Sequence, residues 1–226
     1  MRLSEDLRSR AKAVPDSNSC VVIIDDDQEF RESLGRLLRA AGLDPRLFAS
    51  IAEFVGSDPP DGPTCLVLDV RLPGQSGLDF QRDLAATSVT LPIVFITGHG
   101  DIPMTVQAMK AGAIGFLTKP LREQDLLDAI NAGLARDRLR RHNDEVLTAL
   151  KARFEVLTPR ERAILFRVVE GRLNKQIAGE MGITETTVKV HRCNLMRKIK
   201  AASVPELCRM VDKLQLLPEN PSPPKL

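Results

Sequence analysis

Five residues with side chains suited to phosphoryl chemistry stand at the ends of short apolar runs. Asp25 and Asp26 close CVVII, Asp69 closes CLVL, Thr97 closes IVFI, and Lys119 lies one residue beyond IGFL. Two carboxylates about 5 Å apart repel by roughly 3 kcal/mol at an effective dielectric near 20. A run such as VVIIDDDQEF therefore needs a partner of opposite sign. Convergent carboxylates form a hard oxygen site suited to Mg²⁺, which binds through one or two carboxylates and keeps several waters. Such a cation reverses the local electrostatics. An Asp carboxylate beside Mg²⁺ and Lys can attack a phosphoryl group and form an aspartyl-phosphate. The two cations would then neutralise the transferring oxygens. Asp27, the third acid of the run, is placed to cap the helix that follows.

For these side chains to converge, the runs must be neighbouring parallel strands. The strand candidates are 20–24, 46–49, 65–68, 93–96 and 114–117. Three are apolar throughout, the pattern of strands buried on both faces. Helix candidates alternate with them: Asp27–Ala41, Ile51–Val55, Leu78–Ala86, Pro103–Ala111 and Glu123–Arg136. Gly42 and Gly112 fit the ends of the first and fourth helices. Five βα units imply an α/β fold with a doubly wound five-stranded parallel sheet. Such sheets bind ligands at the carboxyl ends of their strands, where the five residues stand.

The set DD…D…T…K resembles the receiver domain of two-component response regulators, and TGHGDIPMTVQAMKAGAIGFLTKP (97–120) is similar to its FixJ-like subgroup. The resemblance covers about residues 20–137 and implies a flavodoxin-like fold. It implies Asp69 as phosphoacceptor, Asp26 as direct metal ligand, Asp25 as the acid acting through water, and the Arg71 backbone carbonyl as a further ligand. Thr97 would bond the phosphoryl oxygen and Lys119 would pair with it. Lys119–Pro120 resembles the family's cis peptide, which proline permits. Leu72-Pro73-Gly74 and Gly77 fit the loop beside the acceptor. Phe116 takes the place of the family's aromatic switch residue, more often Tyr, and lacks a hydroxyl for an outward hydrogen bond. His99 reads as an exposed loop residue.

Charge divides the chain. Residues 20–137 hold ten Lys and Arg against seventeen Asp and Glu, and residues 158–217 hold twelve against six. An acidic first part and a basic second part point to two domains with different partners, the basic one meeting nucleic acid. Between them, 138–156 reads as a helical linker continuing the fifth helix, with Leu147, Leu150 and Phe154 at helical spacing. The second domain, 157–217, opens at LTPRER: Thr158 caps, Pro159 takes the first helical position and Glu161 completes a capping box. Helices are expected at 159–170, 174–181, 185–199 and 204–216.

Within them, GRLNKQIAGEMGITETTVKVHRCNLMRKI (171–199) shows helix-turn-helix spacing: small Ala178 at a crossing, Gly182 in the turn, Val188 within the second helix. Lys189 and Arg192 lie on the free face of that helix, while His191 faces the core. Thr186 and Thr187 open it, and Asn174 and Lys175 open the helix before. Helix starts and hydroxyls hold phosphates, and a basic helix face reads the major groove. Residues 157–216 resemble a LuxR/NarL-type DNA-binding domain. The expected DNA-contacting set is Asn174, Lys175, Thr186, Thr187, Lys189, Val190, Arg192, Cys193 and Lys198. Cys193 stands where relatives often carry a longer polar or basic residue.

Cys20, Cys65, Cys193 and Cys208 show no ligand or disulfide spacing, which argues for reduced thiols and a cytoplasmic protein. No apolar run reaches membrane-spanning length. Residues 1–19 lack the apolar stretch of a secretion signal and read as a flexible leader, and Pro-rich 218–226 as a disordered tail. A haloacid-dehalogenase-like phosphatase also uses a strand-end Asp with Mg²⁺. It usually wants a second Asp two residues on, where this chain has Arg71. The reading that follows is a regulator rather than a turnover enzyme. The resemblance implies that a sensor histidine kinase phosphorylates it, that the phosphorylated chain pairs as a homodimer, and that it binds double-stranded promoter DNA, with no membrane partner expected.

Overall fold

The computed structural model describes residues 19–87, 89–98 and 100–214. The expected tail and all of the expected leader except Ser19 lie outside that range, as does His99. Ser19 itself is buried and accepts a hydrogen bond from the Arg138 guanidinium at 2.7 Å. The chain divides into two compact units between Arg141 and His142.

In the first unit, β1 (Cys20–Ile24), β2 (Asp44–Phe48), β3 (Thr64–Asp69), β4 (Ile93–Thr97) and β5 (Gly115–Thr118) form one parallel sheet in the order β2-β1-β3-β4-β5. The register pairs Cys20 with both Asp44 and Thr64, Leu66 with Ile93, and Val94 with Gly115. Side chains alternate between the two faces of a strand, so each apolar run serves two cores. Val22, Ile24, Leu66, Leu68 and Phe95 pack with α2 (Ile51–Val55), α3 (Gly77–Ala85) and α4 (Ile102–Lys110). Val21, Ile23, Val67, Val94 and Ile96 pack with α1 (Gln28–Ala40) and the first half of α5 (Glu123–Glu155). Full burial of each such side chain contributes about 1.5–3 kcal/mol. Strand β2 begins two residues earlier than expected because Pro45, a residue that interrupts central strands, is tolerated at the sheet edge.

Caps set the helix starts one residue from the expected bounds. Asp27 caps α1, Ser76 caps α3 and Asp101 caps α4, each accepting a backbone N–H from the first turn. Gly42 and Gly112 take positive φ just past the C-caps of α1 and α4. The expected fifth helix and linker are one continuous helix of 33 residues, α5. Its Leu126, Ile130 and Leu134 belong to the first unit's core, and its Leu150 and Phe154 to the second's.

The second unit adds α6 (Pro159–Val169), α7 (Asn174–Met181), α8 (Glu185–Ile199) and α9 (Val204–Lys213) around a core built on Ile164, Leu165, Ile177, Val188, Leu195 and Leu207. Gly182 ends α7 with φ of 64°, the left-handed conformation that lets the chain turn into α8. Thr158 and Glu161 form the expected capping box at α6.

Candidate functional site

Strand order reverses between β1 and β3, because β1 lies between β2 and β3. At that switch point the carboxyl ends of adjacent strands open a crevice. Asp25 follows β1 and Asp69 ends β3, so sheet topology alone makes them neighbours. Carboxylate oxygens of Asp25, Asp26 and Asp69 lie within 4.8 Å of one another, a donor set that could hold a metal ion. Asp25 and Asp69 are buried, while Asp26 is exposed to solvent.

Lys119 reaches back across the sheet to this cluster. Its Nζ donates at 2.8 Å to Asp25 Oδ2 and at 2.8 Å to Asp69 Oδ2. The backbone places it: Lys119 N–H donates to the Thr97 carbonyl at 2.8 Å, and the Lys119–Pro120 peptide is cis. The opposite charge that the sequence demanded of a cation is thus supplied in part by the chain itself. One ammonium stands against three carboxylates, which leaves a surplus of negative charge.

Two backbone donors and one side chain complete the shell. Arg71 N–H donates to Asp69 Oδ1 at 2.9 Å, Asp27 N–H to Asp25 Oδ1 at 3.0 Å, and the Arg31 guanidinium to the Asp25 carbonyl. Burial pushes the Asp25 carboxyl up from its ordinary value, and Lys119 and the Asp27 N–H only partly offset it. Burial would lower the Lys119 ammonium, but its bonds to Asp25 and Asp69 outweigh burial and raise it. Gly77 is required where α3 starts, since a Cβ there would stand 2.5 Å from the Asp69 carbonyl oxygen.

Thr97 is fully buried at the end of β4. Phe116 is half-buried, its ring centroid 6.2 Å from that of Phe95. A Cβ on Gly100 would fall 2.9 Å from the Phe116 ring and 3.1 Å from the Thr97 methyl, so both flank the same glycine. Two neighbours of the cluster were not read from the sequence. Arg31 holds the Asp25 backbone, and the Phe30 ring lies 4.0 Å from Lys119 Nζ. Both sit in the first turn of α1, where an apolar residue reads as core and a basic one as solvated surface.

In the second unit, α8 exposes Thr186, Lys189, Val190 and Cys193, and α7 exposes Lys175. The Arg192 guanidinium donates to Asn174 Oδ1, which joins the starts of α7 and the exposed side of α8. Thr187 is engaged in the α8 cap: its N–H donates to Thr184 Oγ1 at 3.2 Å and the two hydroxyls lie 2.8 Å apart. His191 is half-buried. Lys198, the last residue of the expected DNA-contacting set, lies apart from the others. It lies nine residues after Lys189, two and a half helical turns, and so on the opposite side of α8. Its Nζ pairs with Glu161 Oε2 at 2.6 Å and supports the α6 capping box.

Residues 21–131 match the family described as response regulator receiver domain, and residues 155–211 the family described as bacterial regulatory proteins, luxR family. Nodulation protein W of Bradyrhizobium diazoefficiens is 50% identical over 198 residues, spanning 88% of this chain and 87% of that protein. The transcriptional regulatory protein FixJ of Azorhizobium caulinodans is 40% identical over 204 residues, spanning 90% and 97%. The solved structure of response regulator StyR is 49% identical and superposes with a TM-score of 0.79, covering 87% of this chain and 99% of that one. Among the described residues no helix is long and apolar enough to cross a membrane. With a receiver domain, a LuxR-type DNA-binding domain and relatives alike along nearly their whole length, the chain belongs to the response regulators that control transcription.

Proposed function

We propose that Asp69 accepts a phosphoryl group from a sensor histidine kinase, and that the phosphorylated chain pairs with a second copy and binds promoter DNA. The observation that carries this reading is the Lys119 ammonium held 2.8 Å from Asp69 inside a cluster of three carboxylates. An Asp69 carboxylate oxygen attacks phosphorus and forms the O–P bond. The P–N bond of the donor phosphohistidine breaks, and its electron pair returns to the ring nitrogen, which takes up a proton. Asp25, Asp26, Asp69 and the Arg71 carbonyl would hold Mg²⁺, which supplies positive charge to the phosphoryl oxygens. Lys119 neutralises those oxygens from its own side, and the Thr97 hydroxyl donates to one of them.

Movement of Thr97 toward the phosphoryl group opens space that Phe116 fills, and the face formed by α4, β5 and α5 is remodelled. That face carries exposed apolar side chains, Ile102 at 81% and Met109 at 46% exposure on α4, which support its use in pairing two copies. A symmetric dimer presents two α8 helices to two half-sites. Lys189, Val190 and Cys193 then meet base edges, while Asn174, Lys175, Arg192, Thr186 and Thr187 hold the phosphate backbone.

Incubation with acetyl phosphate and Mg²⁺, read by intact mass and light scattering, tests the reading. The wild-type chain should gain one phosphoryl group, shift to a dimer and bind promoter fragments more tightly. Asp69→Asn should lose all three responses. Equal dimerisation and DNA binding in the two proteins, with and without donor, would sink it.

A further inference from the structure

The Lys119 ammonium is held on more sides than its two carboxylates account for. An ammonium has three donors, and two end on Asp25 and Asp69. The Phe30 ring covers a further side, with its centroid 4.0 Å from Nζ. A cation over an aromatic face at this distance is attracted by the ring's quadrupole. The ring is itself placed by the turn that carries the acids. Phe30 N–H donates to Asp27 Oδ1 at 3.1 Å in the first turn of α1, directly after Asp25 and Asp26. Its other side leans on the apolar core between the sheet, α1 and α5. A lysine stem has four rotatable carbons and little intrinsic preference for one aim. Here three groups fix the head: two acids draw it and one aromatic face limits its retreat.

We propose that Phe30 is a positioning residue for phosphoryl transfer at Asp69. Its face keeps the Lys119 ammonium aimed at the acceptor and screens it from water. The inference rests on the reading of Asp69 as phosphoacceptor. Phe30 touches neither the donor nor phosphorus, so its influence passes through Lys119. When Asp69 carries a phosphoryl group, the same face holds the ammonium against the new oxygens, so both uptake and loss of phosphoryl depend on the ring.

The test separates the ring's charge distribution from its bulk. Phenylalanines with increasing fluorination, incorporated at position 30 alone, keep the shape and withdraw the negative face. Uptake from acetyl phosphate with Mg²⁺ is followed by intact mass, with thermal unfolding as the control for folding. The rate should fall steadily with each fluorine, and Phe30→Leu should slow it about two- to tenfold. Phe30→Tyr, which retains the face, should stay near wild type. Rates that do not respond to fluorination overturn the inference, including the case in which Phe30→Leu alone is slow, because lost packing then explains it. A wild-type chain that takes up no phosphoryl group overturns the phosphoacceptor reading itself, an outcome visible before any variant is compared.

Discussion

Three carboxylates and one ammonium in a crevice give Asp25 the least comfortable position of the four groups. It is 1% exposed, and its carboxyl is raised because burial outweighs the bonds it receives from Lys119 and Asp27. A carboxyl with a folded value above its unfolded value costs stability as pH rises through that interval from the ordinary 3.8. Asp25→Asn should therefore raise the urea midpoint at pH 7 without divalent cation, and the gain should vanish at pH 3, where the acid is already protonated. The thiols give a second prediction at this scale. Burial pushes Cys65 up to about 12 and Cys20 to about 11, while Cys193 is exposed and Cys208 half-buried. Thiolate is the reactive form, so iodoacetamide at pH 8 should modify Cys193 and Cys208 in the folded chain and reach Cys20 and Cys65 only in denaturant, as peptide mapping would show. The acids were legible in the sequence because a charge at the end of a buried run is an anomaly that needs a cause. Phe30 was not, because a phenylalanine on a helix needs none. The pairing of Lys198 with Glu161 was not legible either, because it depends on helical phase and on a residue 37 positions away.

Helices in both units are fixed by short polar signals that reach beyond their own termini. At α6 the Thr158–Glu161 box is joined by Lys198 from α8, so one ion pair ties the start of α6 to α8. Burial alone would raise Glu161, but Lys198 and the Thr158 amide and hydroxyl outweigh it and hold its carboxyl below the ordinary 4.5. Its contribution is thus present above that value and is lost as pH falls through the depressed one. Glu161→Gln keeps the return bond to Thr158 N–H and removes the charge, so it should flatten the acid limb of the second unit's unfolding curve, followed by circular dichroism between pH 2 and 6. Packing of α5 on the sheet is equally exacting. A Cβ at Gly133 would stand 2.5 Å from Cys65 Sγ. Gly133→Ala should cost about 1–3 kcal/mol by urea unfolding, as overpacked cores do, and much less when combined with Cys65→Ala. Hydrophobic period and cap residues made most of these elements readable. The buried Asp137 was not, because one of its partners, Thr64, lies 73 residues away along the chain. It accepts from Thr64 N–H at 2.9 Å and pairs with Arg140 at 2.7 Å and Arg141 at 2.8 Å, contacts that fix the start of β3 against α5.

At the scale of the whole molecule, the hydrophobic residues form separate cores for the two units, although one helix runs through both. Each unit can therefore unfold as its own cooperative transition. A ligand that binds only the folded first unit stabilises that transition alone, by about 2.7 kcal/mol at a hundredfold excess over its dissociation constant. Mg²⁺ is such a ligand if the Asp25, Asp26 and Asp69 cluster holds it, because the cation cancels the surplus negative charge that one Lys119 leaves. Calorimetry of the full chain should show the first unit's transition rising with Mg²⁺ while the second stays fixed. Asp26→Asn removes the exposed acid of the cluster and spares the buried pair with Lys119. It should abolish the rise with little change in the metal-free curve. A shift of both transitions together would mean that the two units unfold as one, and a shift that survives Asp26→Asn would place the cation elsewhere.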